Sequence, residues 1–223
     1  MGWGLPGILR YLPHPTLIVR PEIDRTLASF PPDALICDVG AGGRRLAPKV
    51  VTVDSVPVPN VDIVADIHNL PINDASFDCV FCTGTLEHVR DPWQAVREMH
   101  RILRPGGIFH ADVPFMQGYH PDPTDYWRFT IEGLRLLCRD FEELASGTYI
   151  GPTCGLVWVA REWANSWSSS RIASNLLLVP VALMAAPFKY LDYLMIHTRR
   201  SHHVASAFFF RGRKSVPENV ERM

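Results

Sequence analysis

The sequence predicts an α/β protein built on a doubly wound, mostly parallel sheet, and three observations carry that expectation. Leu35-Ile36-Cys37-Asp38-Val39-Gly40-Ala41-Gly42-Gly43 is an apolar run that ends in an acid and breaks into glycines, the pattern of a short buried strand feeding a tight turn. Two further apolar runs, Lys49–Asp54 and Val61–Asp66, also end in acids. Between the apolar runs Phe77–Thr83 and Ile108–Val113 lies a helix that announces its own start. Asp91 stands at the N-cap, Pro92 at the first helical position and Gln94 at the capping-box position.

Taken in order, residues 1–33 form an N-terminal arm, with a helix expected from Arg20 to Phe30 and closed by Pro31-Pro32. The core, 34–150, starts with strands at Leu35–Gly40, Lys49–Asp54, Val61–Asp66 and Phe77–Thr83. The first crossover is short and contains Pro48, so it holds one helical turn or less. In the helix after Asp91, Trp93, Val96, Met99 and Leu103 form the buried stripe, and Gln94, Arg97, Glu98 and Arg101 face water. Arg104-Pro105-Gly106-Gly107 ends it, and Ile108–Val113 is the fifth strand. A polar, aromatic loop, 115–129, leads to a helix capped by Thr130, with Ile131, Leu134 and Leu137 on its apolar side. Phe141–Ile150 is expected as the sixth strand and Ala205–Arg211, inside 204–214, as the seventh. A helical, apolar insertion, 151–203, separates them, and 215–223 is a tail. Strands alternating with crossovers imply parallel pairing and a doubly wound sheet.

With 223 residues, 47% hydrophobic and 20% charged, the chain is long enough for one sizeable core. A formal net charge of −1 makes no case for nucleic acid as a partner. The C-terminal part is locally basic: Lys189 to Lys214 holds six Lys/Arg against one acid, Asp192. Five cysteines, at 37, 79, 82, 138 and 154, do not form a disulfide framework and suit a reducing, cytoplasmic setting. Cys79 and Cys82 lie on one strand, where residues three apart face opposite ways, and no second Cys/His pair has zinc spacing. No metal is expected. The N-terminus, broken by Pro6, Pro13 and Pro15, does not read as a secretory signal.

In an open α/β sheet the strand ends share one crevice. A phosphate ligand would want glycines, a helix N-terminus and positive charge nearby. Three acids instead want hydroxyls, an amine or a cation, which suits a nucleoside with a positive centre. Asp54 is placed to accept from a ribose diol and Asp66 from an exocyclic amine, with Ile67 against the ring.

Five motifs then occur in order: Asp38-Val39-Gly40-Ala41-Gly42; Asp54-Ser55; Asp66-Ile67 leading into Leu70-Pro71-Ile72-Asn73-Asp74-Ala75-Ser76-Phe77-Asp78; Leu86-Glu87-His88-Val89; and Arg101-Ile102-Leu103-Arg104-Pro105-Gly106-Gly107. From about Leu35 to Phe115 the chain resembles the class I S-adenosylmethionine-dependent methyltransferases of the small-molecule type 11 group. The resemblance implies a seven-stranded Rossmann-like sheet with S-adenosylmethionine as cofactor. Carried over, it implies methionine-side contacts at Asp38, Gly40, Ala41 and Gly42 and a ribose site at Asp54 and Ser55. It also implies adenine contacts at Asp66 and Ile67 and cofactor contact at Thr83. Arg44, where a small residue is common, and the short crossover depart from the pattern. Arg44 or Arg45 is read either as a contact to the cofactor carboxylate or as surface.

Methyl transfer is an in-line displacement at a sulfonium, and a base is needed only where the acceptor loses a proton. His88, His120 and Asp122 are the candidates for that role. Asp125, Tyr126, Trp127 and Arg128 are the candidate acceptor wall, with anchoring of the next helix as the structural alternative for the aromatics. The uncharged run Ile172–Phe188, seventeen residues with two prolines, is at the lower edge of spanning length. A single span would separate the sixth and seventh strands, so a span is not expected. Internal packing or a homodimer surface is the preferred reading, and peripheral membrane contact through 172–200 the alternative. The expected activity is methyl transfer to a small-molecule acceptor, with O-methylation of a glycan or lipid-linked compound as its specific form. A catalytically silent cofactor-binding scaffold is the competing class. A nicotinamide-dependent enzyme fits worse, because the turn lacks full GxGxxG spacing.

Overall fold

A computed structural model describes residues 21–121 and 123–216. Seven strands form one sheet: β1 Ile36–Val39, β2 Val51–Asp54, β3 Ile63–Val64, β4 Phe77–Thr83, β5 Leu103–Pro114, β6 Glu142–Ile150 and β7 Ala207–Arg213. Their order is β3-β2-β1-β4-β5-β7-β6. The pairs β1–β2, β1–β4, β2–β3 and β4–β5 are parallel. The last strand reverses. Gly106 donates to the Lys214 carbonyl at one end of β5, and Phe115 to the Ser206 carbonyl at the other, so β7 runs antiparallel to β5. The expected mostly parallel, doubly wound sheet with seven strands is therefore present.

The helices are α1 Pro21–Ala28, α2 Pro92–Ile102, α3 Ile131–Leu137, α4 Pro152–Asn165, α5 Arg171–Ala185 and α6 Asp192–Met195. The capping signals are used as read. Asp91 accepts from the Gln94 amide at 2.9 Å and Thr130 from the Gly133 amide at 3.1 Å, which satisfies donors that a helix start leaves unpaired. Val96 and Met99 are buried on α2, but Trp93 is 42% exposed and Glu98 is buried. Glu98 turns inward because it accepts from the Leu70 amide at 2.8 Å and pairs with Arg101. Arg101 in turn donates to the carbonyls of Leu70 and Ile72. The loop that follows β3 is thus stapled to α2 by charged side chains rather than by apolar packing.

No helix follows β1. Residues 40–50 are turns and irregular chain, in line with the short crossover. Arg45 replaces the missing helix as a brace. It forks onto Asp62 at 2.8 and 3.0 Å and donates to the carbonyls of Val50 and Asn60. This is a structural role, and it removes Arg45 from the cofactor contacts considered above. The third strand shrinks from the expected six residues to Ile63–Val64, because at the sheet edge the Asp62 side chain takes the Thr52 amide. All five cysteines are free and buried, with Cys79 and Cys82 in the central strand β4.

The chain divides into two compact units. The larger contains 21–114, 120–147 and 208–216, and with them the glycine turn and the strand-end acids. The smaller contains 115–119 and 148–207. Within the smaller unit α4 is started by a side chain from far along the chain. Asp192 is buried and accepts from the amides of Thr153 and Cys154, both at 2.8 Å. Among the described side chains of α5, Ser174, Leu178 and Ala182 are the buried ones, one stripe at four-residue spacing. Ile172, Leu176 and Met184 stand 73–77% exposed. The expected internal packing of this apolar run is therefore limited to one stripe, and most of its surface is open. Residues Ile172–Met195 are long and apolar enough to cross a membrane by length and composition. Both flanking strands lie side by side in one sheet, so one crossing would leave them on opposite sides.

Candidate active site

The site is built at the carboxyl ends of β1, β2, β4 and β5. Gly40, Gly42 and Gly43 all have positive φ, at +80°, +57° and +80°, a region that residues with a Cβ rarely adopt. At Gly40 a Cβ would also lie 2.3 Å from the Thr85 side chain. At Gly42 the same direction is open. The turn does not present bare amides, as the glycine pattern suggests. Gly40 and Ala41 both donate to the Val53 carbonyl, and Gly42 donates to Asp54 Oδ2 at 2.7 Å. Without a helix behind it, the turn satisfies its donors on the neighbouring strand. What it offers a ligand is carboxylates.

Asp54 is gripped by the Gly42 amide and, through Oδ1, by the Val56 amide at 3.0 Å. Its remaining lone pairs are set in direction, as recognition of a diol requires. Ser55 beside it is exposed. Asp66 is exposed, with Ile67 half-buried. Its carboxylate takes both the backbone amide and the ring Nδ1 of His68, at 2.9 and 2.6 Å, bonds that hold it below the usual carboxylate range.

Asp38 is fully buried, and burial raises its carboxyl while Arg44 opposes that shift. Arg44 folds back so that Nη2 lies 3.1 Å from Asp38 Oδ2 and 2.5 Å from Thr83 Oγ1. This is neither of the two roles considered from the sequence. The guanidinium sits between two of the predicted cofactor residues and holds them together.

Two acids that sequence reasoning passed over belong here. Asp112, near the end of β5, is buried with Oδ2 unpartnered among the described residues. Burial first, and then the charge of Glu87, push its carboxyl up to about 8. The signal was present, since Asp112 repeats the acid-at-strand-end pattern of Asp38, Asp54 and Asp66. Glu87 sits in the 3₁₀ turn Leu86–His88. It is buried, with Oε2 likewise unpartnered among the described residues.

His88 and His120 come together across 32 residues of chain, with ring centroids 5.1 Å apart. Asp122 lies outside the described residues. Asp125 and Arg128 are not an open grip for an anionic acceptor. Arg128 forks onto Asp125 at 2.5 and 2.6 Å, and Asp125 also accepts the His120 amide at 3.0 Å. Burial alone would raise the Asp125 carboxyl, but these bonds hold it below its ordinary value. Trp127 donates to the Val89 carbonyl at 2.8 Å and meets Trp93 edge-on, so it anchors the loop. Tyr126 remains exposed, its hydroxyl accepting from Arg90.

The sheet order is that of the Rossmann-like fold found in class I methyltransferases. Residues 38–111, about a third of the chain, match the family model of a methyltransferase domain. The chain is 30% identical over 96 residues to the 27-O-demethylrifamycin SV methyltransferase of Amycolatopsis mediterranei, covering 32% of this chain and 35% of that protein. It is 51% identical over 49 residues to a ubiquinone/menaquinone biosynthesis C-methyltransferase of Hahella chejuensis, 22% of this chain and 20% of that one. The matched part thus spans a fifth to about a third of these relatives. Among solved structures, the Burkholderia thailandensis 1,6-didemethyltoxoflavin-N1-methyltransferase superposes with a TM-score of 0.55 at 18% identity, over 88% of this chain and 78% of that one. The 4+2 cyclase SpnF gives 0.56 at 19%, over 88% and 81%. At that identity the likeness is one of fold, and a fold hosts more than one chemistry.

Proposed function

We propose that this protein transfers a methyl group from S-adenosylmethionine to a small-molecule acceptor. The observation that carries the reading is the placement of Asp38, Asp54 and Thr83 at adjoining strand ends beside the glycine turn, within the segment that matches the methyltransferase domain. Asp54, fixed by two amides, accepts the ribose hydroxyls. Asp66 and Ile67 take the adenine. Asp38 and Thr83 form a buried acceptor pair already occupied by a cation, the Arg44 guanidinium. The α-ammonium of the methionine moiety is a cation of the same sign and takes that place. The cofactor brings the activated methyl, and the protein brings orientation and a dry floor.

On the acceptor side, His88 and His120 supply groups suited to a hydroxyl that loses its proton as it attacks. This favours O-methylation. The exposed ring of Tyr126 suits stacking on a sugar, in keeping with a glycan acceptor. Five free, buried cysteines are in keeping with a reducing, cytoplasmic setting. Calorimetry tests the reading. S-adenosylhomocysteine is expected to bind one per chain, and Asp54→Ala to weaken it at least tenfold. Failure of the wild-type chain to bind either S-adenosylmethionine or S-adenosylhomocysteine overturns it. The Arg44–Asp38 bond also favours a second reading, a binder without turnover. Cofactor binding with no methyl transfer to broad acceptor pools would select that one.

A further inference from the structure

We propose that Glu87, His88 and His120 form a binding site for one divalent transition-metal ion, of the class that accepts two imidazoles and a carboxylate. Each residue offers one donor atom, and the three atoms lie within 4.8 Å of one another. Glu87 Oε1 is 3.8 Å from His88 Nε2 and 3.9 Å from His120 Nε2. Ligand atoms around a tetrahedral ion with bonds of about 2.0–2.1 Å stand roughly 3.3 Å apart. The three groups are therefore within a small rotamer adjustment of coordinating distance.

The shell behind them is built. His88 Nδ1 faces the Thr124 carbonyl at 3.1 Å. A carbonyl only accepts, so Nδ1 carries the hydrogen and Nε2 turns its lone pair toward Glu87. His120 Nδ1 has Asp125 Oδ2 at 3.6 Å and Arg128 Nη2 at 3.2 Å. The guanidinium only donates, so the tautomer in place has Nδ1 as acceptor and Nε2–H toward Glu87, while Asp125, beyond hydrogen-bond distance, favours the other tautomer. Metal binding selects the one in which Nδ1–H points to Asp125, the carboxylate–histidine arrangement that orients metal ligands. The loop that carries His120 is tied to the same turn, because the amides of Tyr126 and Trp127 both donate to the Glu87 carbonyl.

An independent observation points to a ligand. Glu87 is 3% exposed, and its Oε2 has no hydrogen-bond partner among the described residues. A buried carboxylate oxygen with no donor is costly unless something positive completes it. A cation on the Oε1 side of Glu87, the side that faces both imidazoles, lowers the cost of burying this carboxylate. Two neutral imidazoles and one carboxylate suit Zn²⁺, Fe²⁺ or Co²⁺ better than Mg²⁺ or Ca²⁺, and leave coordination positions open. Where the methyl-transfer reading of the previous section holds, on which this role rests, an open position would take the acceptor's oxygen and lower the pKa of its hydroxyl, whose proton leaves to solvent because both imidazoles are then committed to the metal rather than acting as bases. Metal binding itself does not depend on that reading.

The test uses the 223-residue chain stripped with chelator, titrated with Zn²⁺ by calorimetry and with Co²⁺ by visible absorption. One site per chain is expected, weakened at least tenfold by Glu87→Gln and by His120→Asn. It should be unchanged when the adjacent His202 and His203 are both replaced by Ala. No binding to the wild-type chain overturns the proposal, as does equal binding by the Glu87→Gln and His120→Asn variants, or loss only in the His202/His203 variant. S-adenosylhomocysteine calorimetry on the same preparations keeps the two readings apart. Metal binding without cofactor binding fails the methyltransferase reading alone, and cofactor binding without metal binding fails the metal site alone.

Discussion

Arg44 is the residue on which the proposed mode of cofactor binding turns. Its guanidinium pairs with Asp38, a carboxylate buried in β1. Arg44→Ala leaves that charge without its cation, and a loss of about 1–3 kcal/mol of stability is expected. The same change removes the competitor for the cofactor ammonium. Thermal stabilisation by S-adenosylhomocysteine should therefore be larger in Arg44→Ala than in the wild type, by differential scanning fluorimetry at matched ligand. An equal or smaller shift means that Arg44 grips the cofactor rather than standing in its place. Asp112 makes a prediction in pH. Its ordinary value is 3.8 and its folded value about 8. Between these the folded chain holds a proton that the unfolded chain has released, so this group's contribution to stability falls as pH rises through the window and levels off above it. Asp112→Asn removes the slope. Its urea midpoint relative to the wild type should climb between pH 5 and 8, and parallel curves would refute this. Asp62, held well below its ordinary value first by Arg45 and then by Thr52, acts in the opposite sense and only on acidification, outside that window.

At the scale of elements, local chemistry was legible wherever it acts over a few residues. Asp91 and Thr130 cap the helices that they introduce, and Pro48 accompanies a crossover without a helix. Elements whose extent depends on distant partners were misjudged. Glu98 is buried because a loop amide 28 residues away needs it, and β3 is cut short by the Asp62 side chain. The glycine turn shows the same division. Three glycines announced a positive-φ turn, but only the fold shows its amides spent on Val53 and Asp54. Gly40 is accordingly a poor place to probe cofactor binding, since a side chain there strikes Thr85 and perturbs the fold itself. The start of α4 rests on Asp192, forty residues beyond Pro152 in sequence. Asp192→Ala is expected to cost about 1–3 kcal/mol and to speed amide exchange at Thr153 and Cys154. Unchanged exchange at these two amides would show that the cap does not hold the helix.

At the scale of the whole molecule, the larger unit holds the glycine turn and the strand-end acids, and the smaller unit presents an apolar surface. Trp163, Trp167, Ile172, Leu176, Met184, Tyr193 and Leu194 are all more than half exposed, more open apolar surface than a soluble monomer ordinarily shows. Aromatic and aliphatic side chains with Lys189, Arg199 and Arg200 nearby have the composition of an interfacial helix beside anionic headgroups. Co-flotation with vesicles containing anionic lipid is expected at low salt, and Leu176→Asp with Met184→Asp should abolish it. A stable dimer in solution with no co-flotation would assign the surface to a second copy of the chain instead.

The sequence by itself determined the sheet, the glycine turn and the three strand-end acids of the cofactor side. These are written as short periodic runs, caps and breakers, each of which acts within one turn or one strand. It did not reveal Arg44 lying across Asp38 and Thr83, the buried pair of Glu87 and Asp112, or His120 brought to His88. Nor did it show that Arg128 is spent on Asp125, or that most of α5 stays open. Those depend on which side chain arrives from far along the chain to complete a buried charge, and spacing in sequence carries no information about that. The meeting of Glu87, His88 and His120 falls in the same gap. Zinc motifs are recognised by short regular spacing, whereas Glu87, His88 and His120 converge only because the loop after β5 folds back onto the turn after β4.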